Sequence, residues 1–251
     1  RFFLGLYLPL EQVGLYLIGT SIASLVKLYP VAFSTAWMPF AFDSMKREDA
    51  PQLFGRLASY AFAALAFLTL ALACLAEPVV ALMTPLAFHG AARVVPLLAL
   101  GMAIQSTSTF LSTSINVAKR THAYPIATAI AAAVSVAGYL MLIPRWGLFG
   151  AAGAVVAGQV VLVATLGHFA QRYFAIKYEW LRLGKVTLST GSLYAIMTAL
   201  SPATAGAALA WTAVVLAAYP LTLWSLGFFR ASELREIRVF LTTLRLGRLF
   251  N

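Results

Sequence analysis

The feature that most constrains this chain is a series of apolar runs, each about as long as a bilayer is thick, joined by short connections that are alternately rich and poor in cations. The hydrocarbon layer is about 30 Å deep and an α-helix rises about 1.5 Å per residue, so about 20 apolar residues cross it. Seven runs approach or exceed that length: Val13–Phe42, Leu57–Met83, Val94–Val117, Ile126–Ile143, Leu148–Gly167, Val186–Ser201 and Ala205–Phe229. The sixth is the shortest. The fold class expected is an all-α polytopic membrane protein with about seven transmembrane helices over residues 1–229 and a basic tail over 230–251.

The cations set the expected topology. Lys46, Arg47 and Arg56 fall in the first connection, Lys119 and Arg120 in the third, and Arg172, Lys177, Arg182 and Lys185 in the fifth. The tail holds Arg230, Arg235, Arg238, Arg245 and Arg248, whereas the intervening connections hold only Arg93 and Arg145. Lys and Arg accumulate on the cytoplasmic side of membrane proteins. The cation-rich connections and the C-terminus are therefore expected in the cytoplasm, and strict alternation agrees with a count of seven.

Composition excludes several other classes. The chain is 61% hydrophobic and 10% charged, against about 25% charged for an ordinary soluble domain. Its net charge of +10 would suggest nucleic acid in a soluble protein, but here the cations sit between spans, so no nucleic-acid partner is expected. Cys74 is the single cysteine, which rules out an internal disulfide and reads as a packing residue. His89, His122 and His168 lie in three different connecting regions without zinc-ligand spacing. Neither metal nor cofactor is expected. No hydrolase or transferase constellation appears, so the chain is not expected to be an enzyme. It opens at Arg1-Phe-Phe-Leu, which reads as a fragment starting inside or just after a helix.

A few residues stand out against the apolar background. Lys27 lies near the middle of the first run, where a charge is costly and normally faces a bundle interior or a water-filled cavity. It reads as a hook for an anionic substrate. The competing reading is a tilted or broken helix, which Pro30 and Pro39 would permit. On the third run Gln105, Ser108, Thr109, Ser112 and Asn116 share one face. They suit either a polar passage that binds sugar hydroxyls or hydrogen bonds between helices. Gly150, Ala154 and Gly158 recur every four residues and predict close helix packing. Glu77, before Pro78, reads as an interfacial carboxylate at a helix end, and the only other reading is a proton or cation site. The aromatic and basic residues of Phe169–Leu183 suit the headgroup layer, and Ser232–Leu246 reads as a basic amphipathic helix on the cytoplasmic leaflet or a partner-binding tail.

Three stretches resemble the polysaccharide flippases (Wzx type) of the MATE-like, or MOP, superfamily. They are Val13-Gly14-Leu15-Tyr16 followed by Ala36-Trp37-Met38-Pro39-Phe40, the opening Arg1-Phe-Phe-Leu, and Leu142-Ile143-Pro144-Arg145-Trp146-Gly147-Leu148-Phe149-Gly150-Ala151-Ala152. The resemblance covers most of residues 1–170 in matching order. It implies the C-terminal lobe of a two-lobed transporter in the bacterial inner membrane, with a missing N-terminal lobe as its partner. The implied substrate is an anionic, polyprenyl-diphosphate-linked oligosaccharide moved through the lipid bilayer by alternating access. Arg1 would then be a cavity cation beside Lys27, with Gln105 and Asn116 as polar lining. Two other classes stay open: a MATE-type exporter of organic cations, whose cavity would want acids and aromatics, and a membrane scaffold that transports nothing.

Overall fold

The computed structural model describes residues 2–44, 47–173, 176–200 and 205–229. Arg1, Lys46, the 201–204 connection and the basic tail lie outside the described residues. Among the described residues every regular element is a helix. The chain divides after Trp180 into two compact units, which are taken in turn.

The first unit contains α1 (Phe2–Tyr7), α2 (Leu10–Ala23), a 3-10 turn (Ser24–Lys27), α3 (Leu28–Ser44), α4 (Ala50–Cys74), α5 (Ala76–Met83), a second 3-10 segment (Leu86–Arg93), α6 (Val95–Val117) and α7 (Ala123–Tyr173). Proline accounts for two of the breaks. A proline has no N–H for the carbonyl four residues back and its ring crowds that carbonyl. Pro30 does this to Val26, which lies in the first 3-10 turn, and Pro78 does it to Cys74, the last residue of α4. The first two apolar runs are therefore interrupted helices. Pro39 stays inside α3 without ending it.

The 51 residues of α7 would reach about 77 Å if straight, more than twice the hydrocarbon depth. They fold back at Gly147, whose φ of 53° and ψ of −126° belong to glycine alone. The arms run antiparallel: a Cβ on Gly138 would lie 2.9 Å from that of Ala154, and one on Gly158 would meet Ser135 and lie 3.2 Å from the Ala131 carbonyl. Gly150 faces the Leu142 carbonyl beside the bend. Gly150, Ala154 and Gly158 thus line the inside of the hairpin.

The core of this unit gathers Val26, Leu65, Leu98, Ala99, Ile143, Ala151 and Ala152 from the 3-10 turn, α4, α6 and both arms of α7. A second cluster joins Trp37, Ala41, Ala50 and Phe54 to Ile176, in the connection after α7. There the Lys177 N–H donates to the Pro51 carbonyl at 3.2 Å, and Gln171 Nε2 donates to the Ile176 carbonyl at 3.0 Å. Tyr178 follows, half-buried, and burial pushes its hydroxyl up from the ordinary tyrosine value. Between α3 and α4, Arg47 grips Asp49 through two bonds of 2.9 and 3.0 Å and holds its carboxyl below the usual range. Both side chains are exposed, so the pair adds little stability.

The second unit contains α9 (Ala205–Ser225) and, from Leu181 on, α8 (Trp180–Ala199). The two helices are antiparallel. Ser189 Oγ meets Thr222 Oγ1, and Lys185 Nζ donates to the Gly227 carbonyl at 3.1 Å. Gly227, at φ 65°, closes α9 with Phe228 N–H to the Leu223 carbonyl and its own N–H to Trp224, a left-handed C-terminal cap. Arg182 is buried beside this cap, 5.3 Å from the centre of the Phe228 ring. Arg172 and Lys177 of the fifth connection are exposed, whereas Arg182 packs on an aromatic ring.

Five helical stretches are long and apolar enough to cross a membrane: Leu10–Ser44, Ala50–Cys74, Val95–Asn116, Ala123–Tyr173 and Gly206–Ser225. The difference from seven has two sources. The bent α7 forms one continuous stretch, and α8, with its 20 residues, is the least apolar of the long helices because it carries Arg182 and Lys185 as well as several hydroxyls.

Candidate functional site

Lys27 ends the first 3-10 turn, at the midpoint of the 35-residue stretch Leu10–Ser44. The turn packs on α4 and α6 through Val26, which is 2% exposed. Lys27 itself is half-buried, and among the described residues it makes no hydrogen bond or ion pair. An unpaired ammonium at that depth is expensive unless water or an anion reaches it. From Lys27 onward α3 presents a stacked series, Tyr29 on Phe33 at 6.0 Å and Phe33 on Trp37 at 5.3 Å, with Phe110 of α6 set edge-on against Phe33.

The polar side chains of α6 divide by role. Trp37 Nε1 donates to Thr113 Oγ1 at 2.7 Å in a buried bond between α3 and α6. Ser112 bonds back to the Thr109 carbonyl at 2.6 Å. Asn116 Oδ1 accepts from the Tyr124 hydroxyl at 3.1 Å, which ties the end of α6 to the start of α7. Gln105, Ser108 and Thr109 are half-buried, and among the described residues their side chains form no hydrogen bond. Of the residues singled out from sequence, Lys27, Gln105, Ser108 and Thr109 have no side-chain hydrogen bond among the described residues, and Asn116 is engaged locally. Arg1 lies outside the described residues. Glu77 is exposed in the first turn of α5, beyond the end of the spanning stretch. Among the described residues no group of three metal-ligating side chains comes together.

Sequence reasoning missed the Trp37–Thr113 bond, because nothing in the spacing of either helix says which hydroxyl meets the indole. Replacing Thr113 with Val should cost about 1–2 kcal/mol by stranding the indole N–H. Unfolding in detergent would measure it, and Thr113→Ser, which keeps the acceptor for the indole N–H, should lose less.

Compared with known proteins, the chain matches no family model, no curated protein and no solved structure. Its class rests on its own features: an all-α protein whose long apolar helices fit a membrane.

Proposed function

We propose that this chain is the C-terminal lobe of a MOP-superfamily flippase that moves a polyprenyl-diphosphate-linked oligosaccharide across the bacterial inner membrane. In this reading seven helices cross the bilayer, the two arms of α7 counting separately and α8 crossing beside α9, and the C-terminus is cytoplasmic. Alternating access against an N-terminal lobe carries the head group while the lipid tail stays in the bilayer. The carrying observation is Lys27: a half-buried, unpaired cation at mid-span, on a helix break next to α6. Such a group attracts a diphosphate and repels an organic cation. Arg1 would add a second positive charge, and Gln105 would meet sugar hydroxyls.

The test is Lys27→Met in the full-length protein, with surface polysaccharide measured in cells. A charge-assisted contact of about 1.5–3 kcal/mol corresponds to about a tenfold to hundredfold loss of export, at normal protein level. Lys27→Arg should retain most of the activity. Unchanged export by the Met variant removes Lys27 from the mechanism.

A further inference from the structure

The seam between α6 and the second arm of α7 holds a polar layer built from two glutamines. The two helices run parallel. Leu98 and Ala99 share a core with Ala151 and Ala152, a Cβ on Gly101 would lie 3.4 Å from both Val155 and Val156, and Ile115 packs with Leu166 and Ala170. Partners along the seam thus keep a nearly constant offset, and positions at three- and four-residue spacing on each helix face the other. One turn beyond the Gly101–Val155 contact, the same faces carry Gln105 on α6 and Gln159 on α7. On the α7 side Ala151 and Ala152 pack before this level and Leu162, Leu166 and Ala170 after it.

Gln159 Oε1 is buried and, among the described residues, has no hydrogen-bond donor. A carbonyl oxygen removed from water without a donor is destabilising, and more so in a medium of low dielectric. If the residue served packing alone, leucine would serve better. Its neighbour at the same level, Gln105, likewise has no partner among the described residues. Two carboxamides at one depth, with a buried acceptor and free donors, match the chemistry of a polyhydroxylated ligand. Sugar hydroxyls both donate and accept, and amide side chains bond to them without adding charge.

We propose that Gln105 and Gln159 form one binding layer for the sugar portion of the cargo, in which Gln159 Oε1 accepts a substrate hydroxyl and Gln105 supplies or accepts the adjacent bond. This rests on the transport reading above but assigns a residue, Gln159, that Lys27 does not touch upon: one contact addresses the anionic link, the other the sugar.

The experiment uses the full-length protein in cells lacking the native copy, with surface polysaccharide and thermal stability in detergent measured for Gln159→Leu, Gln105→Leu and Lys27→Met. The expected result for Gln159→Leu is an export loss of about tenfold with stability equal to or above the native value, since the stranded oxygen is gone. Gln105→Leu should behave alike. Unchanged export by Gln159→Leu overturns the proposal, as does a loss of stability parallel to the loss of export, which would make the pair an interhelical bond. Failure of the transport reading has a different signature: deleting the whole protein would leave surface polysaccharide unaltered.

Discussion

Replacing Gly150 with Val should leave the hairpin of α7 unable to close, and the yield of monodisperse protein extracted from membranes should fall to a small fraction of the native level. A Cβ at this position would overlap the Leu142 carbonyl oxygen and crowd the Ile143 nitrogen at 3.0 Å. These are backbone atoms on the opposing arm, held by their own helix, so no side-chain rotation relieves the overlap. Overpacking of this kind costs about 3 kcal/mol or more. The arms would have to separate, which uncouples Ile143, Ala151 and Ala152 from the core they share with Leu98 and Leu65. Gly153→Val is the control. A Cβ at Gly153 meets only the Leu142 Cδ1 methyl at 3.9 Å, an ordinary contact, so that change should stay within about 1 kcal/mol of neutral. Equal behaviour of the two variants would refute the antiparallel hairpin.

The second large effect is expected at Gly55, on α4. A Cβ there would collide with the Lys177 carbonyl oxygen and lie 2.8 Å from its carbon. The connection after α7 rests on this glycine, and its position is set by the Lys177–Pro51 backbone bond and by Ile176, 4% exposed among Trp37, Ala41, Ala50 and Phe54. Gly55→Val should lift the connection away and expose Ile176, at a cost of about 2–4 kcal/mol. Cysteine placed at Ile176 reports the change directly. In a background without Cys74 it should label slowly in the otherwise native protein and several-fold faster beside Gly55→Val. Gly167→Ala, whose Cβ would only touch a Leu111 methyl at 3.9 Å, should leave the labelling rate unaltered.

Much of the helical architecture was legible before any coordinates. Long apolar runs leave the backbone no partners but its own, so helices were the only structure open to them, and the Pro144–Gly147 segment marked the bend in α7. Which prolines break a helix was not legible. Pro30 and Pro39 look alike in sequence, yet only the first follows closely on a 3-10 turn. A local rule gives both the same missing hydrogen bond, so the sequence alone does not separate them. The candidate site divides the same way. Lys27 was conspicuous because charge is rare in an apolar run, whereas the bond that Asn116 accepts from Tyr124 depends on how α6 meets α7. Gln159 was hidden in a run read for its small residues, and it gained meaning only when Gly101 was seen to face Val155.

From the residues alone came the helical class, the fit to a membrane and the place of Lys27 at the middle of an apolar run, since each depends on transfer of single groups or segments between water and hydrocarbon. The tertiary structure alone decided the fold-back of α7, the pairing of Trp37 with Thr113 and the close approach of Gly101 to Val155 and Val156. These depend on the register between helices, which is set by where backbones approach closely enough for glycine and alanine to be needed, and no single helix encodes that distance.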